Sequence, residues 1–428
     1  MNRITEVARP KLPLILRLTL AILLAGDFAF RISFAPSITA SAAVTALLTA
    51  IWLLLWPVFS AARRTPVPGD ARIPAAVWLF LCWALLDSVL NGITAQGMQN
   101  LCCYFLFFGS MGLVASGAVS QGVASRFAAF VAVIGWLRAL TYATDLARFG
   151  FGANGMYGAR AFAVQALIIM AVLIPLGKEQ RCARLLPGVL FLEIAFSGSR
   201  TAMAVAGLLL AFVPLRSRRR YRLLKGVVVM GVTAAVGYVC LTHFSALHDR
   251  FFTGDVMDVH GAFINTSGRD LLWAVVTEHA ETRSWTGFGA GSAAILVRSV
   301  VVTAGEPHND YLRIWHDFGY IGLGLWLAGY LSLMRGCWLR ARRLDSGHEA
   351  SRHYAAFLGL GCVGLLAITD NLLIYFFSMI PLGALVGLSL AAPCAAEGVL
   401  GVTRRVRTAI EAVGGQGRPV TPVDALSA

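Results

Sequence analysis

The sequence predicts an all-α polytopic membrane protein, with about twelve transmembrane helices and one large periplasmic loop that carries short helices. Three observations predict this fold class. Only 14% of the residues are charged and 57% are hydrophobic, whereas soluble domains carry about 25% charged residues. The charges form clusters, and the apolar runs between them are long enough to cross a hydrocarbon core of about 30 Å. The basic clusters also lie at alternate ends of successive runs, as the positive-inside rule requires.

Successive apolar runs define the predicted spans in chain order. We expect spans near residues 13–30, 38–60, 74–91, 101–118, 124–145, 160–177, 184–197, 200–215, 224–242, 317–334, 354–371 and 372–392. The seventh and eighth spans form a tight pair around the turn Ser197-Gly198-Ser199-Arg200. The last two spans share a narrow turn at Asp370-Asn371.

Basic residues set the predicted orientation. Most of the 36 Lys and Arg residues lie at ends assigned to the cytoplasm, as at Arg63-Arg64 and between Arg216 and Lys225. Both termini are therefore expected in the cytoplasm. The chain then divides into a membrane domain over 1–242, a periplasmic loop over 243–316, a second membrane domain over 317–392 and a cytoplasmic tail over 393–428. The formal charge of +14 is a topology signal on this interpretation, and it argues against nucleic acid as a partner.

The predicted periplasmic loop contains most of the eight histidines, and two short helices are expected in it. Ser267 followed by Asp270 fits a helix-capping pattern, which puts Arg269 in the first turn. A second helix is expected to begin at Pro307, a residue favoured in the first turn. His308 would then lie in the first turn of that helix.

His308 is the candidate catalytic base. Histidine is the side chain best suited to proton transfer near neutral pH. A helix N-terminus disfavours the imidazolium form, and a neutral ring can accept a proton as a general base must. The alternative is a histidine at a helix start whose ring is satisfied by local hydrogen bonds.

Arg200 and Arg269 are the candidate anion-binding residues. Each is expected at a helix N-terminus, where free backbone N–H groups and the helix dipole favour phosphate. The guanidinium adds a planar fork of donors. The alternatives are structural, because Arg200 could pair with Glu193 and Arg269 with Asp270 or Glu306.

Other polar groups are weaker candidates. Arg138 and Asp145 share a face of the fifth span and could line a cavity, Arg160 begins the sixth span, and Asp370 lies at the last outer turn. For each of them a structural ion pair or a helix-end role competes with substrate contact.

Asp255, Asp258 and His260 lie close enough in the sequence to suggest a metal site, but a solvated acidic loop is the better interpretation. The metal-ligand spacings of known sites are missing from this segment. No metal and no cofactor are therefore expected.

Four motifs together resemble the O-antigen ligase family, whose superfamily also includes O-antigen and exopolysaccharide polymerases. They are Ser-Gly-Ser-Arg at 197–200, Ser-Gly-Arg-Asp-Leu-Leu-Trp at 267–273, Gly-Phe-Gly-Ala-Gly-Ser at 287–292 and Pro-His-Asn-Asp-Tyr-Leu at 307–312. Members often show Pro-Asn near the start of the sixth span. This chain has Tyr157-Gly158-Ala159-Arg160 there, so Arg160 could replace that contact.

The resemblance implies a metal-independent, inverting glycosyltransferase in the bacterial inner membrane, with its active site facing the periplasm. The donor would be a glycan on undecaprenyl diphosphate. The acceptor would be a sugar hydroxyl on lipid A-core or on a second lipid-linked glycan, and membrane lipids would surround the protein.

The same resemblance assigns roles to individual residues. His308 matches the family's base on the acceptor hydroxyl, and Arg200 and Arg269 match arginines that hold the donor diphosphate. A set of supporting residues is also expected: Asn309, Tyr311, Arg160, Arg138 and Asp370.

Three functions remain open on the sequence. A ligase joins finished O-antigen to lipid A-core, and a polymerase joins one carrier-linked repeat to another. The single long loop with its His-Asn motif favours the ligase. A transporter of lipid-linked glycan or another solute is the third alternative, but transporters often show paired repeats and midplane helix breaks, which this sequence lacks.

Overall fold

The computed structural model describes residues 12–28, 33–35, 38–61, 73–116, 121–177, 181–212, 221–243, 245, 248, 256–259, 262–265, 268–301, 305–344 and 348–391. These residues are predominantly helical. The predicted cytoplasmic tail over 393–428 lies outside them.

The first half of the described chain consists of nine helices. They are α1 (Leu14–Ala25), α2 (Ala40–Ala61), α3 (Ala75–Asn91), α4 (Ala95–Ser116), α5 (Gln121–Phe149), α6 (Ala159–Leu176), α7 (Arg181–Phe196), α8 (Arg200–Phe212) and α9 (Arg222–His243). Each overlaps one predicted span. Proline stands immediately before α1 and α3, where its missing N–H costs no helical hydrogen bond.

Among its described residues, the segment predicted as a periplasmic loop contains two complete helices, α10 (Arg269–Glu281) and α11 (Ser292–Val300). The helix α11 was not predicted. A short antiparallel hairpin, β3 (Val256–Val259) with β4 (Ala262–Asn265), precedes α10. A second hairpin, β1 (Ser33–Ala35) with β2 (Ile38–Thr39), links α1 to α2. Both hairpins are exceptions to the predicted all-α fold.

The next helix, α12 (Asp310–Arg343), joins the predicted loop helix and the tenth predicted span. The two parts meet at a kink at Gly319, where φ is 66° and ψ is −173°. A Cβ at this position would collide with the backbone of Trp285. The kink leaves the carbonyl of Phe318 available, and the indole of Trp83 donates to it at 2.9 Å. Sharp kinks have such local causes.

The last two helices are α13 (His348–Leu366) and α14 (Phe376–Leu390). Every residue of α14 is buried, so this helix lies at the centre of the bundle. Gly383 and Gly387 face the α4 backbone, where an added Cβ would meet the Phe107 and Met111 carbonyls. Small residues of this kind let two helices approach closely, as membrane bundles require.

Three helices are long and apolar enough to cross a membrane by length and composition, among the residues that the structure describes. They are Ala95–Ser116, Gly122–Phe149 and Ala159–Leu176. Shorter apolar helices occupy six further segments. The apolar helices therefore agree with the predicted class, and the count of twelve crossings stays a prediction.

Candidate functional site

His308 lies just before α12, which corrects the predicted position in a first helical turn. The helix begins at Asp310 after the N-cap Asn309. His308 has φ of 54° and is the only non-glycine residue with positive φ in the described part of the chain. Such backbone strain costs of order 1–3 kcal/mol and persists only where the surroundings enforce it.

Hydrogen bonds on both sides of His308 hold this conformation. The indole of Trp273 on α10 donates to the carbonyl of Pro307 at 2.8 Å. Asn309 accepts from the N–H of Leu312 at 3.0 Å, which caps α12. The N–H of Asp310 donates to the carbonyl of Ala367 at 2.8 Å. Because the residues before and after His308 are held by these hydrogen bonds, the backbone of His308 is held as well.

The loop between α13 and α14, residues 367–375, faces the ring of His308, and we call it the outer hairpin loop. Asp370 Oδ1 lies 3.7 Å from His308 Nδ1. The Asn371 amide lies 3.3 Å from the same nitrogen, and the direction of that hydrogen bond depends on the tautomer. Both contacts use Nδ1, so Nε2 is the ring nitrogen available to another molecule.

Asp370 is held in its ionised form. Burial alone would raise the pKa of this carboxyl, but hydrogen bonds with His308 and the Asn371 N–H, together with the Arg160 charge, hold that pKa below its ordinary value. A carboxylate beside Nδ1 orients an imidazole and stabilises its protonated form.

His308 and Asp370 line a cleft of about 620 Å³, which we call the base cleft. Its other polar lining residues include Asp27, Asn154 and Arg160. Aromatic rings of Phe151, Tyr375 and Phe377 complete the wall. Carboxylates, amides and aromatic rings are the side chains that contact sugars, so this cleft could hold a carbohydrate hydroxyl near His308.

A smaller cleft of about 30 Å³ adjoins the base cleft and contains Arg160, Arg200 and Arg269; we call it the arginine cleft. The two clefts share Arg160, Gly198 and Asp370. Arg200 and Arg269 are the first residues of α8 and α10, and Arg160 is the second residue of α6. Three helix N-termini therefore converge here, which favours an anion.

Local sequence explains how Arg200 reaches this position. Gly198 has φ of 70°, which reverses the chain between α7 and α8 as glycine permits. The hydroxyl of Thr369 in the outer hairpin loop donates to that of Thr201 at 2.7 Å. This bond ties the start of α8 to the loop that carries Asp370.

The start of α10 differs from the prediction in its cap. Gly268 is the N-cap, in a left-handed conformation and without a side-chain cap hydrogen bond. Ser267, the predicted cap, lies outside the described residues. Arg269 is nevertheless in the first turn, as predicted.

An apolar groove of about 620 Å³ runs between α8, α12 and α13. Its lining includes Val205, Leu209 and Phe212 of α8. Because α8 begins at Arg200, the groove leads away from the arginine cleft along the helix. Tyr311 also lines it, with its hydroxyl donating to the Gly364 carbonyl at 2.8 Å.

Two of the predicted supporting residues, Asn309 and Arg138, make contacts that stabilise the fold. Asn309 caps α12. Arg138 is almost fully buried, donates to the carbonyl of Leu23 at 2.9 Å and stacks over the Tyr157 ring at 4.0 Å. Arg138 is not among the residues that line either cleft, and Asp145 instead accepts the N–H of Met156 at 2.8 Å.

Three buried charged side chains close to His308 in the sequence, those of Glu306, Asp310 and Arg313, were not predicted as a cluster. Asp310 and Arg313 are fully buried, and Arg313 Nη2 lies 2.5 Å from Asp310 Oδ1. Glu306 is also buried, and burial raises the pKa of its carboxyl to about 7. The polar run from Glu306 to Asp310 was the available signal, but only tertiary contacts reveal which of these side chains face inward.

The glycine-rich motif is a structural clasp. Asp317 accepts hydrogen bonds from the N–H groups of Gly291 and Ala293, each at 2.9 Å. Asp87 accepts from the N–H of Gly289 at 3.0 Å. A Cβ at Gly291 would lie 2.7 Å from the backbone nitrogen of Gly97, so glycine is required there.

Asp255 and His260 of the acidic segment lie outside the described residues. Within the described residues, no group of three or more His, Cys, Asp or Glu side chains is arranged to hold a metal ion.

One family model matches part of the chain. Residues 185–327 match the family model described as O-antigen ligase. The match covers about a third of the chain and includes all four motifs. No curated protein matches the chain.

This match bears out the resemblance to the O-antigen ligase family that the motifs show. The match and the apolar helices together indicate a multi-pass membrane protein that is similar to O-antigen ligases.

Proposed function

We propose that this protein transfers a glycan from undecaprenyl diphosphate to an acceptor sugar hydroxyl at the periplasmic face of the bacterial inner membrane. Its specific role would be that of an O-antigen ligase, which delivers O-antigen to lipid A-core. The observation that carries the proposal is the meeting of the base cleft, with His308 and Asp370, and the arginine cleft at shared residues.

The reaction divides between these two clefts. The acceptor oxygen attacks the anomeric carbon of the donor glycan and forms the new glycosidic bond. The bond between that carbon and the diphosphate oxygen breaks, and the electron pair leaves with undecaprenyl diphosphate. The acceptor proton passes to Nε2 of His308, a step worth roughly 10²–10⁴-fold in rate for a positioned base. Attack opposite the leaving group inverts the anomeric centre.

Asp370 would support His308 from the other side of the ring. As the imidazole gains a proton at Nε2, the carboxylate near Nδ1 stabilises the growing positive charge. The separation of 3.7 Å would shorten in the substrate complex, since catalytic hydrogen bonds are often long in unliganded enzymes.

The arginine cleft would hold the diphosphate. Arg200 and Arg269 offer forked donors, and the starts of α8 and α10 add backbone N–H groups. These positive charges would stabilise the leaving group as its negative charge grows, without a metal ion. We expect transfer to persist in the presence of EDTA.

The apolar groove would receive the first isoprene units of the donor. Its lining is almost entirely hydrocarbon, from residues such as Leu209, Leu327 and Leu365. It starts beside the arginine cleft, where Leu366 and Thr369 lie next to groove residues Leu365 and Ile368. A diphosphate in the cleft would thus have its lipid tail directed into the membrane.

A glycan profile tests the role in cells. Surface glycan and carrier-lipid fractions are compared for wild type, a deletion strain, and deletion strains expressing wild type or His308→Ala. For a ligase, we expect long polymer to remain on the carrier and to be absent from lipid A-core in both mutants. Single repeats without any long polymer would identify a polymerase instead. An unchanged profile would contradict the proposal for that host's major glycan.

A further inference from the structure

Asp310 occupies the junction between His308 and the outer hairpin loop. Its N–H donates to the Ala367 carbonyl at 2.8 Å. Its Oδ2 accepts from the N–H groups of Leu372 and Leu373 at 2.7 and 3.0 Å. One residue therefore binds the loop at both ends of the segment that presents Asp370 and Asn371.

Arg313, one turn further along α12, balances the charge of Asp310. Its Nη2 contacts Asp310 Oδ1, and both side chains have no exposed surface. The other guanidinium nitrogens, Nε and Nη1, are buried without a hydrogen-bond partner among the described residues. Arg313 is thus a buried counterion of Asp310.

We propose that Asp310, with Arg313 as its counterion, is a positioning residue that fixes His308 against Asp370 and Asn371. This inference rests on the proposed transfer reaction. Asp310 contacts no substrate in this scheme, and it acts through two backbone segments. An ionised carboxylate can accept two backbone N–H groups from one loop while an arginine occupies its other oxygen.

Positioning of this kind has a measurable consequence. The separation of His308 Nδ1 and Asp370 is set by backbone hydrogen bonds rather than by direct packing of the two side chains. Loss of the Asp310 carboxylate would allow the loop and the strained His308 to relax. A displacement of about 1 Å at a reacting group can cost roughly 10²-fold in rate.

Asp317 provides a matched comparison on the same helix. It is equally buried and also accepts two backbone N–H groups, those of Gly291 and Ala293. The segment that it holds carries neither the candidate base nor the arginines. An Asp317→Leu variant thus reproduces the loss of a buried carboxylate clasp without touching the outer hairpin loop.

The test uses the full-length protein in proteoliposomes, with undecaprenyl-diphosphate-linked glycan extracted from the host and lipid A-core as acceptor. The double variant Asp310→Leu, Arg313→Met removes the acceptor of both loop N–H groups and both charges, which avoids leaving one buried charge unpaired. Melting temperature, kcat and donor KM are measured for this variant, for Asp310→Leu alone and for Asp317→Leu.

We expect the double variant to regain most of the melting temperature lost by Asp310→Leu while its kcat stays about 10- to 100-fold below wild type. Its donor KM should change little. Asp317→Leu should lower the melting temperature but keep kcat per folded molecule. Recovery of kcat together with melting temperature in the double variant would overturn the inference, because it would show a purely structural role.

A chemical readout separates this inference from the proposed function. The rate at which diethyl pyrocarbonate modifies His308 should rise several-fold in the double variant and stay unchanged in Asp317→Leu. That result without transfer by wild type would remove the function but keep the positioning role. Wild-type transfer with unchanged reactivity and kcat in the double variant would remove the positioning role alone.

Discussion

Two aspartates on α12, seven residues apart, perform the same physical task at two places. Asp310 holds the outer hairpin loop, and Asp317 holds the glycine-rich segment before α11. Each is fully buried and accepts two backbone N–H groups. The difference lies in what the clasped segment carries, since only the outer hairpin loop presents side chains to His308.

Their surroundings differ as well. Around Asp317 the contacts are nearly complete, because the Ser292 hydroxyl also donates to its Oδ1 at 2.9 Å. Around Asp310, Arg313 and Glu306 keep buried atoms without hydrogen-bond partners in the described part of the chain. Buried unsatisfied polar groups are costly, and they concentrate at sites kept for function. The following predictions test this contrast.

The largest effect on activity is expected at His308, which lies next to the Asp310 clasp. His308→Ala should lower kcat by about 10²–10⁴-fold, the usual contribution of a general base. His279→Ala is the control, because His279 hydrogen-bonds His316 near Asp317 at 2.9 Å and lines neither cleft. Transfer kinetics in membrane vesicles give both values, and equal losses in the two variants would contradict the assignment of His308.

The arginine cleft is the next test. Arg200→Ala and Arg269→Ala should each lower kcat/KM by about 10²–10³-fold, by analogy with the loss of one preorganised donor at a developing charge. Arg298→Ala is the control, since Arg298 contacts Gln96 outside the cleft at 3.2 Å. Arg200→Lys should restore only part of the loss, because lysine lacks the fork. Full activity in either alanine variant would exclude that residue from diphosphate binding.

The pH dependence of the free energy of unfolding tests the burial of Glu306, a residue near Asp310 that has a buried atom without a hydrogen-bond partner among the described residues. Burial raises its pKa from 4.5 to about 7, so between these values the folded state binds more protons than the unfolded state. The free energy of unfolding should therefore fall as pH rises from about 4.5 to about 7, by at most about 3 kcal/mol. Glu306→Gln should remove this slope and be more stable than wild type at pH 8. Thermal unfolding of both proteins in detergent between pH 5 and 8 measures this difference. If the stabilities of wild type and Glu306→Gln changed with pH in the same way, that result would contradict the burial of an ionisable Glu306.

The smallest effect is expected in the apolar groove. Leu365→Trp should obstruct the space between α8, α12 and α13 and raise the donor KM by roughly 10-fold, the lower end of the range of about 10–200-fold by which a hydrophobic pocket discriminates a methylene-sized change. A donor with a short prenyl chain should be less affected. Leu185→Trp, at an exposed position outside the groove, is the control. Equal effects on long and short donors would exclude this groove as the site of the lipid tail.

Sequence reasoning found most of the helices, because a long apolar run between charge clusters can satisfy its backbone hydrogen bonds in a bilayer by forming a helix. It also singled out Arg200, Arg269 and His308 as candidate site residues, because short polar motifs beside apolar segments are conspicuous. It placed His308 inside a helix, since Pro307 and Asn309 both fit a helix start. The structure shows the cap at Asn309 and a left-handed His308 before it.

The remaining features depend on contacts between distant parts of the chain. Asp310 meets Leu372 and Leu373 across sixty residues, and no local pattern reveals that partner. Asp370 could be named as a turn residue, but its contact with His308 depends on that same long-range clasp. The helix α11 was missed because the glycines before it suggested a loop.

The most direct test measures both products of the transfer. Purified wild-type protein and His308→Ala are incubated in proteoliposomes with undecaprenyl-diphosphate-linked glycan and lipid A-core, with EDTA present. We expect wild type to release undecaprenyl diphosphate and form glycosylated lipid A-core in equal amounts, and His308→Ala to form neither at a comparable rate. Movement of intact donor without bond cleavage, or transfer that does not depend on His308, would contradict the proposed mechanism.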